Sequence, residues 1–426
     1  MATSEIAIIE QEVQNMNTET QNVSEVELNR VLIESMSKQV RLVDSQNGLD
    51  LFCYIKCGPS DSDVLKKCRG IVFNGDKLIM NGFPYTYEFT ESNKKEILKH
   101  VNESLDGCTF YDSYEGALIR MFNFDDKWYT TTNRKLDANK SKWSSKESFG
   151  RFFENALESE VEVNEKLRNM LPSDENLTLL QKFQTLLNKD KQYMFLLLNN
   201  DENRIVCGSP TRPTFFHVGT FINGILNMDE DIGVPYPQKH NFSSLEEIFE
   251  HVDTININKL QGVIVFGPNN IQYKIFNQKY NDYYRVRGNE PSIKFRYLQV
   301  RMDKRYNNLL HYLYPSFSNI FDDYENIIYQ VGKSIHKAYF ERFIRNQYIK
   351  VPPEEFAVIK LCHSWHLENR AENKINLNKV IEFLNKQPAT NINKMIRRFY
   401  NEQKEKTTDA PKPQKQHFLK KEKKEE

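Results

Sequence analysis

Ser113-Tyr114-Glu115-Gly116 sets a hydroxyl two residues ahead of a carboxylate and a glycine, just before the apolar run Ala117-Leu118-Ile119-Arg120-Met121-Phe122. A serine hydroxyl is a weak nucleophile unless a neighbouring base takes its proton. This stretch has no Gly-x-Ser-x-Gly elbow and no histidine, so Ser113 reads as an ordinary strand residue. Glu115-Gly116 reads either as an acidic group kept for a ligand or as a strand end with a turn. Basic side chains accompany other short apolar runs: Arg69 precedes Gly70-Ile71-Val72-Phe73, Lys274 stands between Tyr273 and Ile275, and Arg134 and Lys135 follow Thr130-Thr131-Thr132-Asn133. Such cations can neutralise phosphate oxygens. They can equally form a solvated strand edge or the charged tip of a β-turn.

Two further groupings have a metal-like look, Cys53-x-x-x-Cys57 and Cys362-His363-x-x-His366. Neither has a second ligand pair at matching spacing, and the two histidines lie beside Trp365 on an amphipathic helix, so no metal site is expected. The six cysteines are scattered through a large chain, which argues for reduced thiols and an intracellular, cytoplasmic setting.

These residues must be positioned by a chain of 426 residues, longer than one core usually holds, and two domains with tails are expected. The 58 basic and 58 acidic side chains cancel, so any attraction for nucleic acid must come from a local patch. No apolar run approaches the roughly 20 residues that span a bilayer, and no secretory signal opens the chain. Residues 1–45 read as a polar, partly disordered leader with one marginal helix around Glu25 to Met36. From 46 to 290, short β-branched and aromatic runs alternate with Asn74-Gly75-Asp76, Asp125-Asp126 and Pro268-Asn269-Asn270, which are hairpin signals. Helical stretches at 146–157 and 163–171 make this part α+β, mainly antiparallel. Residues 291–401 turn helical, with apolar residues at three- and four-residue intervals over 294–313, 322–346, 353–365 and 377–385. Residues 402–426 are Lys-, Glu-, Pro- and Gln-rich and are expected to be disordered.

Leu65-Lys66-Lys67-Cys68-Arg69-Gly70-Ile71-Val72-Phe73, the Ser113-Glu115-Gly116 strand, Asn203-Arg204-Ile205-Val206, Gly262-Val263-Ile264-Val265 and Tyr273-Lys274-Ile275 follow one another in an order and rough spacing that resembles the phage-type RNA ligase 1 family of ATP-dependent nucleotidyltransferases. The Arg287-Gly288-Asn289-Glu290-Pro291-Ser292 junction and the helices after it are similar to RNA-ligase-like proteins of large DNA viruses. The resemblance implies a nucleotidyltransferase domain followed by a helical one.

It also implies where the chain departs from the family. The nucleophilic lysine of such ligases falls at Ser113, while Glu115, Gly116 and Arg69 are kept. The acidic residue of the middle strand falls at Leu197, the glutamate of the fourth motif at Gln261, and the second lysine of the last strand at Phe276, with Lys274 retained. Adenylyl transfer needs a nucleophile, charge neutralisation on the leaving pyrophosphate and a carboxylate-bound metal. Lys127, Lys135 and Lys140 follow in sequence but would need an unusual path back to the pocket. Arg69, Glu115, Gly116 and Lys274 therefore read as a nucleotide-binding remnant.

The helical part interleaves Lys294, Arg296, Arg301, Lys304 and Arg305 with aromatics, and Lys333, Lys337, Arg342 and Arg345 follow. Helical spacing sets Lys333, Lys337 and Arg345 toward one side. With Arg134 and Lys135 they are the candidates for RNA contact, since cations position phosphates and aromatics stack on unpaired bases. The expectation is a catalytically degenerate RNA-ligase-like protein that binds RNA or a protein complex non-covalently, without cofactor and without membrane association. The alternatives are an active ligase using ATP and Mg²⁺ through lysyl-AMP, and a structural subunit with no nucleic-acid role.

Overall fold

The computed structural model describes residues 28–98, 101, 105–268 and 271–408. It divides into two compact units at Asp282/Tyr283, ahead of the boundary expected at 290/291. The first unit carries three sheets. Strands β1 (Val40–Gln46), β2 (Leu49–Tyr54), β3 (Arg69–Asn74) and β4 (Lys77–Met80) form an antiparallel meander. Five strands follow in chain order: β5 (Thr86–Phe89), β6 (Thr109–Ser113), β7 (Gly116–Phe124), β8 (Lys127–Thr131) and β9 (Gln192–Leu198). The remaining strands are β10 (Phe215–Ile222), β11 (Ile225–Asn227), β12 (Lys239–His240), β13 (Gly262–Phe266) and β14 (Gln272–Phe276). The second sheet has the order β11-β10-β9-β7-β8, and the third β12-β6-β13-β14-β5, antiparallel except where β14 meets β5.

Turn chemistry accounts for the hairpins. Asp125 and Asp126, which join β7 to β8, both have positive φ, 54° and 58°, as a tight hairpin turn of matching twist requires. The alternation of side chains then sorts each strand into two faces. On β7 and β9, Ile119, Met121, Tyr193, Phe195 and Leu197 face the Phe149–Val163, Glu165–Met170 and Leu179–Thr185 helices and form one core with Phe153, Leu157, Leu167 and Phe183. The opposite face contributes Phe122 and Met194 to a core that includes Tyr111 of β6 and Phe266 of β13. A third core joins Phe110, Val263, Val265, Tyr273 and Ile275 to the Leu245–Thr254 helix.

The leader expected through residue 45 ends earlier, because Asn29 caps an Arg30–Ser35 helix and Val40 is already paired with Tyr54. Leu28, Ile33 and Val40 pack with Phe52, Leu65 and Phe73, which offsets the ordering entropy that polar composition alone suggested would prevail. Residues 1–27 of that leader and 409–426 of the tail lie outside the described residues. The second unit holds the helices Ile293–Val300, Lys304–Leu313, Ser318–Phe343, Pro353–Glu368, Leu377–Asn385 and Ala389–Thr408. The last runs beyond 401, into the segment expected to be disordered; Ile392, Met395 and Ile396 bury its inner face earlier along the helix, whereas residues 401–405 are exposed. Among the described residues no helix is long and apolar enough to cross a membrane.

Candidate functional site

A cavity of about 180 Å³ opens in the first unit, lined by residues of β3, β5, β6, β7, β9, β10, β13 and β14. Arg69, Ser113, Gly116 and Lys274 all line it, so four residues scattered over more than half of the first unit's sequence meet at one place. Its walls are otherwise largely apolar, with Phe83, Leu118, Leu196, Val218, Ile264 and Phe266. Two of the motif glycines are required by geometry. At Gly262 a Cβ would lie 1.9 Å from the Ile275 carbonyl oxygen, and at Gly70, with φ +75°, it would lie 2.7 Å from the buried Arg120 guanidinium.

The polar side chains at the floor form a chain with one direction. Ser113 Oγ and Lys274 Nζ both donate to Gln261 Oε1, at 3.1 and 3.0 Å. Gln261 Nε2 donates to the Tyr280 hydroxyl at 2.8 Å, and that hydroxyl donates to Glu115 Oε1 at 2.9 Å. Glu115 also accepts the backbone N–H groups of Val206 at 2.7 Å, Cys207 at 3.0 Å and Ile205 at 3.3 Å. Burial pushes its carboxyl above the usual carboxylate range, and these four donors pull the other way. Glu115 is thus turned from the cavity toward the Asn203–Cys207 segment. In this arrangement it holds the backbone of that segment.

On the middle strand, adjacent leucines face opposite ways. Leu197 is 4% exposed and lies in the helix-backed core, whereas its neighbour Leu196 lines the cavity. A one-residue displacement in a strand exchanges faces, so the position that a pocket carboxylate would take is Leu196. Phe276 is buried, its ring centroid 5.3 Å from that of Tyr280, and Lys274 Nζ sits 5.9 Å from its ring centroid. Burial holds the Lys274 ammonium below its usual range. Arg69 Nη1 donates to the Pro84 carbonyl at 3.3 Å and to Thr86 Oγ1 at 3.1 Å. Arg120, which the motif reading passed over, is fully buried, donates to the Gly70 and Thr132 carbonyls, and is pushed down to about 9 by burial.

Two buried polar atoms on the cavity wall have no hydrogen-bond partner, Gln272 Nε2 and Asn133 Oδ1. Each buried group left unpaired costs about 1–3 kcal/mol, and both atoms are shut off from the cavity itself, although the residues that carry them line it. Asn133 and Arg134 form the tip of the turn closed by Thr132 and Lys135, whose backbones bridge. Arg134 is exposed, while Lys135 pairs with Asp44 at 3.3 Å.

In the helical unit the expected basic face is divided. Lys333 and Lys337 are exposed on the Ser318–Phe343 helix, whereas Arg345 lies beyond its end and is paired with Glu341 at 2.9 Å, so an acidic side chain is interposed in the row. Arg301 is almost buried and grips Glu325 with two bonds of 2.6 Å, and Arg296 donates to the Arg285 and Val286 carbonyls. Lys337 borders a cleft of about 440 Å³ in which Lys350 and Arg398 face Glu341, Glu355 and Glu402. The His363 ring stacks on Phe343 with centroids 3.9 Å apart, and His366 Nδ1 lies 2.6 Å from the Asn373 carbonyl oxygen.

No protein-family model matches the chain. It is 28% identical over 375 residues to the immediate-early protein ICP-46 homolog of Invertebrate iridescent virus 6, covering 84% of this chain and 79% of that one. With the homolog of Invertebrate iridescent virus 3 the identity is 30% over 349 residues, or 79% of this chain and 74% of that one. Over 228 residues, 49% of this chain and 29% of the relative, it is 23% identical to a putative bifunctional polynucleotide kinase/RNA ligase of Autographa californica nuclear polyhedrosis virus. Among solved structures, an archaeal ATP-dependent RNA ligase gives a TM-score of 0.38 at 12% identity, covering 66% of this chain and 70% of that one. The extent and level of the match to the iridescent-virus proteins mean that the chain belongs to the family of immediate-early protein ICP-46 homologs.

Proposed function

We propose that the first unit is an RNA-ligase-like domain that forms no lysyl-AMP and acts by non-covalent binding of RNA. The observation that carries this reading is the state of Ser113. Its hydroxyl lies at the cavity floor and donates to the neutral amide of Gln261, the same oxygen that takes a hydrogen bond from the Lys274 ammonium, so its own proton is held by an amide and not by a base. A hydroxyl so placed lacks the activation that nucleophilic attack on a phosphorus atom requires. Arg69 and Lys274, which line the cavity, supply donors and positive charge for a polar group held without a covalent bond. The match to a putative RNA ligase supports the ligand class.

The enzyme reading rests on Lys274. It is the lysine among the residues lining the cavity, and its burial lowers the cost of losing the proton, as an amine nucleophile needs. Incubation with α-labelled ATP and Mg²⁺, followed by a denaturing gel, separates the two. No labelled band is expected. An acid-labile, hydroxylamine-sensitive band that disappears in Lys274→Ala makes the chain a ligase with a displaced nucleophile. RNA that fails to bind even at low salt leaves the structural-subunit alternative.

A further inference from the structure

Asp112 precedes Ser113 on β6 and points to the other side of the sheet. It follows Phe110 on the helix-covered face, where Phe110 and Phe242 meet edge to face. There its Oδ1 lies 2.8 Å from His240 Nε2, on β12 at the edge of the same sheet. The His240 and His251 ring centroids are 4.6 Å apart, and His251 comes from the Leu245–Thr254 helix that packs on the sheet. Phe242 closes the group, its ring centroid 5.6 Å from that of His240 and 5.4 Å from that of His251.

The group is incomplete as a hydrogen-bonded cluster. His251 Nε2 is buried and has no partner, and the Asp112 side chain is 11% exposed with a single side-chain partner that is cationic only when protonated. A buried carboxylate and two adjacent imidazoles with a free lone pair are a poor arrangement by themselves. They are a good one around a cation. One ligand atom from each residue lies within 4.8 Å of the other two. A tetrahedral zinc ion with bonds of about 2.0–2.1 Å holds its ligand atoms about 3.3 Å apart. Rotations of about an ångström would bring the three to that spacing.

We propose that Asp112, His240 and His251 bind a divalent first-row transition metal, Zn²⁺ being the ion whose ligand preferences they match. Two imidazoles and one carboxylate suit Zn²⁺, whereas Mg²⁺ and Ca²⁺ take all-oxygen sets. Three protein ligands leave a fourth position for water. The metal would tie the helix to the β12 edge of the sheet through Asp112, a residue that is also among those lining the cavity. This inference does not depend on the chain's being active or inactive toward ATP.

The test uses the full-length chain, stripped with a chelator and titrated with ZnCl2 by calorimetry, with thermal melting in parallel. One Zn²⁺ is expected to bind and raise Tm, and His251→Gln is expected to weaken binding by at least about tenfold, the scale on which even the outer partners of a bound metal act. The melting temperature of each variant in chelator shows whether it folds, and His240→Gln serves if His251→Gln does not. Alkylating the thiols first should change nothing, and the Co²⁺ form of the wild type should absorb without a thiolate charge-transfer band. Absence of Zn²⁺ binding by the wild type, equal affinity in folded His240→Gln or His251→Gln, or loss of binding on alkylation each overturns the proposal.

Discussion

Charge is handled in opposite ways at the cavity floor and on the helical unit's surface. Around the floor, Glu115, Tyr280, Gln261 and Ser113 are buried and bonded in one chain that Lys274 joins, and the buried Arg120 donates to two backbone carbonyls while its Nε finds no partner among the described residues. On the Ser318–Phe343 helix, Lys333 and Lys337 project into water, Lys333 with its ammonium 4.6 Å from the centroid of the Tyr329 ring. A polar group inside a low-dielectric interior is held by its partners and fails expensively when one is removed. A surface cation contributes little to stability, but it can meet a phosphate. Under the proposed function, the motif positions of one unit would serve structure, while exposed cations of the other would be the ones to meet a polyanion.

Replacing Glu115 by Ala is the most severe way to test this contrast. It leaves three backbone N–H groups and the Tyr280 hydroxyl without their acceptor, and at about 1–3 kcal/mol for each unsatisfied group the loss is on the order of 3–5 kcal/mol even after partial relaxation. Urea unfolding monitored by circular dichroism measures it. A loss below about 1 kcal/mol would show that the Asn203–Cys207 segment does not depend on this carboxylate.

A pH series tests the same interior more gently. His217 is fully buried, and burial pushes its pKa from 6.5 down to about 4. The fold thus favours the neutral ring. The stability that this group supplies is complete above pH 6.5 and is lost progressively as pH falls toward about 4, by on the order of 3 kcal/mol. His217→Leu should flatten the unfolding free energy between those limits. A slope unchanged by the substitution places the acid sensitivity elsewhere.

The alternation of apolar runs and turn residues made the antiparallel hairpins legible, and Leu377–Asn385 has the bounds that its periodicity indicates. The motifs also identified four residues that the fold brings to one cavity. Side-chain direction was not legible. Glu115 and Leu197 stand where the motif alignment sets them, yet one reaches the Ile205–Cys207 backbone and the other the helix-backed core, because a neighbour one residue away on a strand faces the other way. Arg345 falls on the wrong side of a helix end that spacing alone could not fix. The Asp112, His240 and His251 group escaped notice for another reason. Its members come from two strands and a helix separated by intervals that match no metal-binding spacing, so only the pairing of β12 with β6 brings the first two together. An acidic residue ahead of Ser113 and a histidine in each of two later elements were the available signals, and both are commonplace.

The smallest expected effect separates the two basic groups within the helical unit and so sharpens the contrast with the cavity floor. If Lys333 and Lys337 each meet a phosphate of single-stranded RNA, replacing both by Ala should lower the slope of log K against log salt by up to about 1.4, since each such contact contributes about 0.7. Stability should change by less than about 0.5 kcal/mol, as befits exposed side chains. Arg345→Ala should change the slope by much less, because Glu341 already holds that guanidinium and would have to release it. Fluorescence anisotropy with a labelled oligonucleotide across a salt series measures all three, and Arg134→Ala, at an exposed turn tip of the other unit, is the control that matters. A slope that falls with Arg134 and not with Lys333 and Lys337 reverses the assignment. It would mean that RNA is held on the unit that carries the cavity lined by Arg69, Ser113 and Lys274.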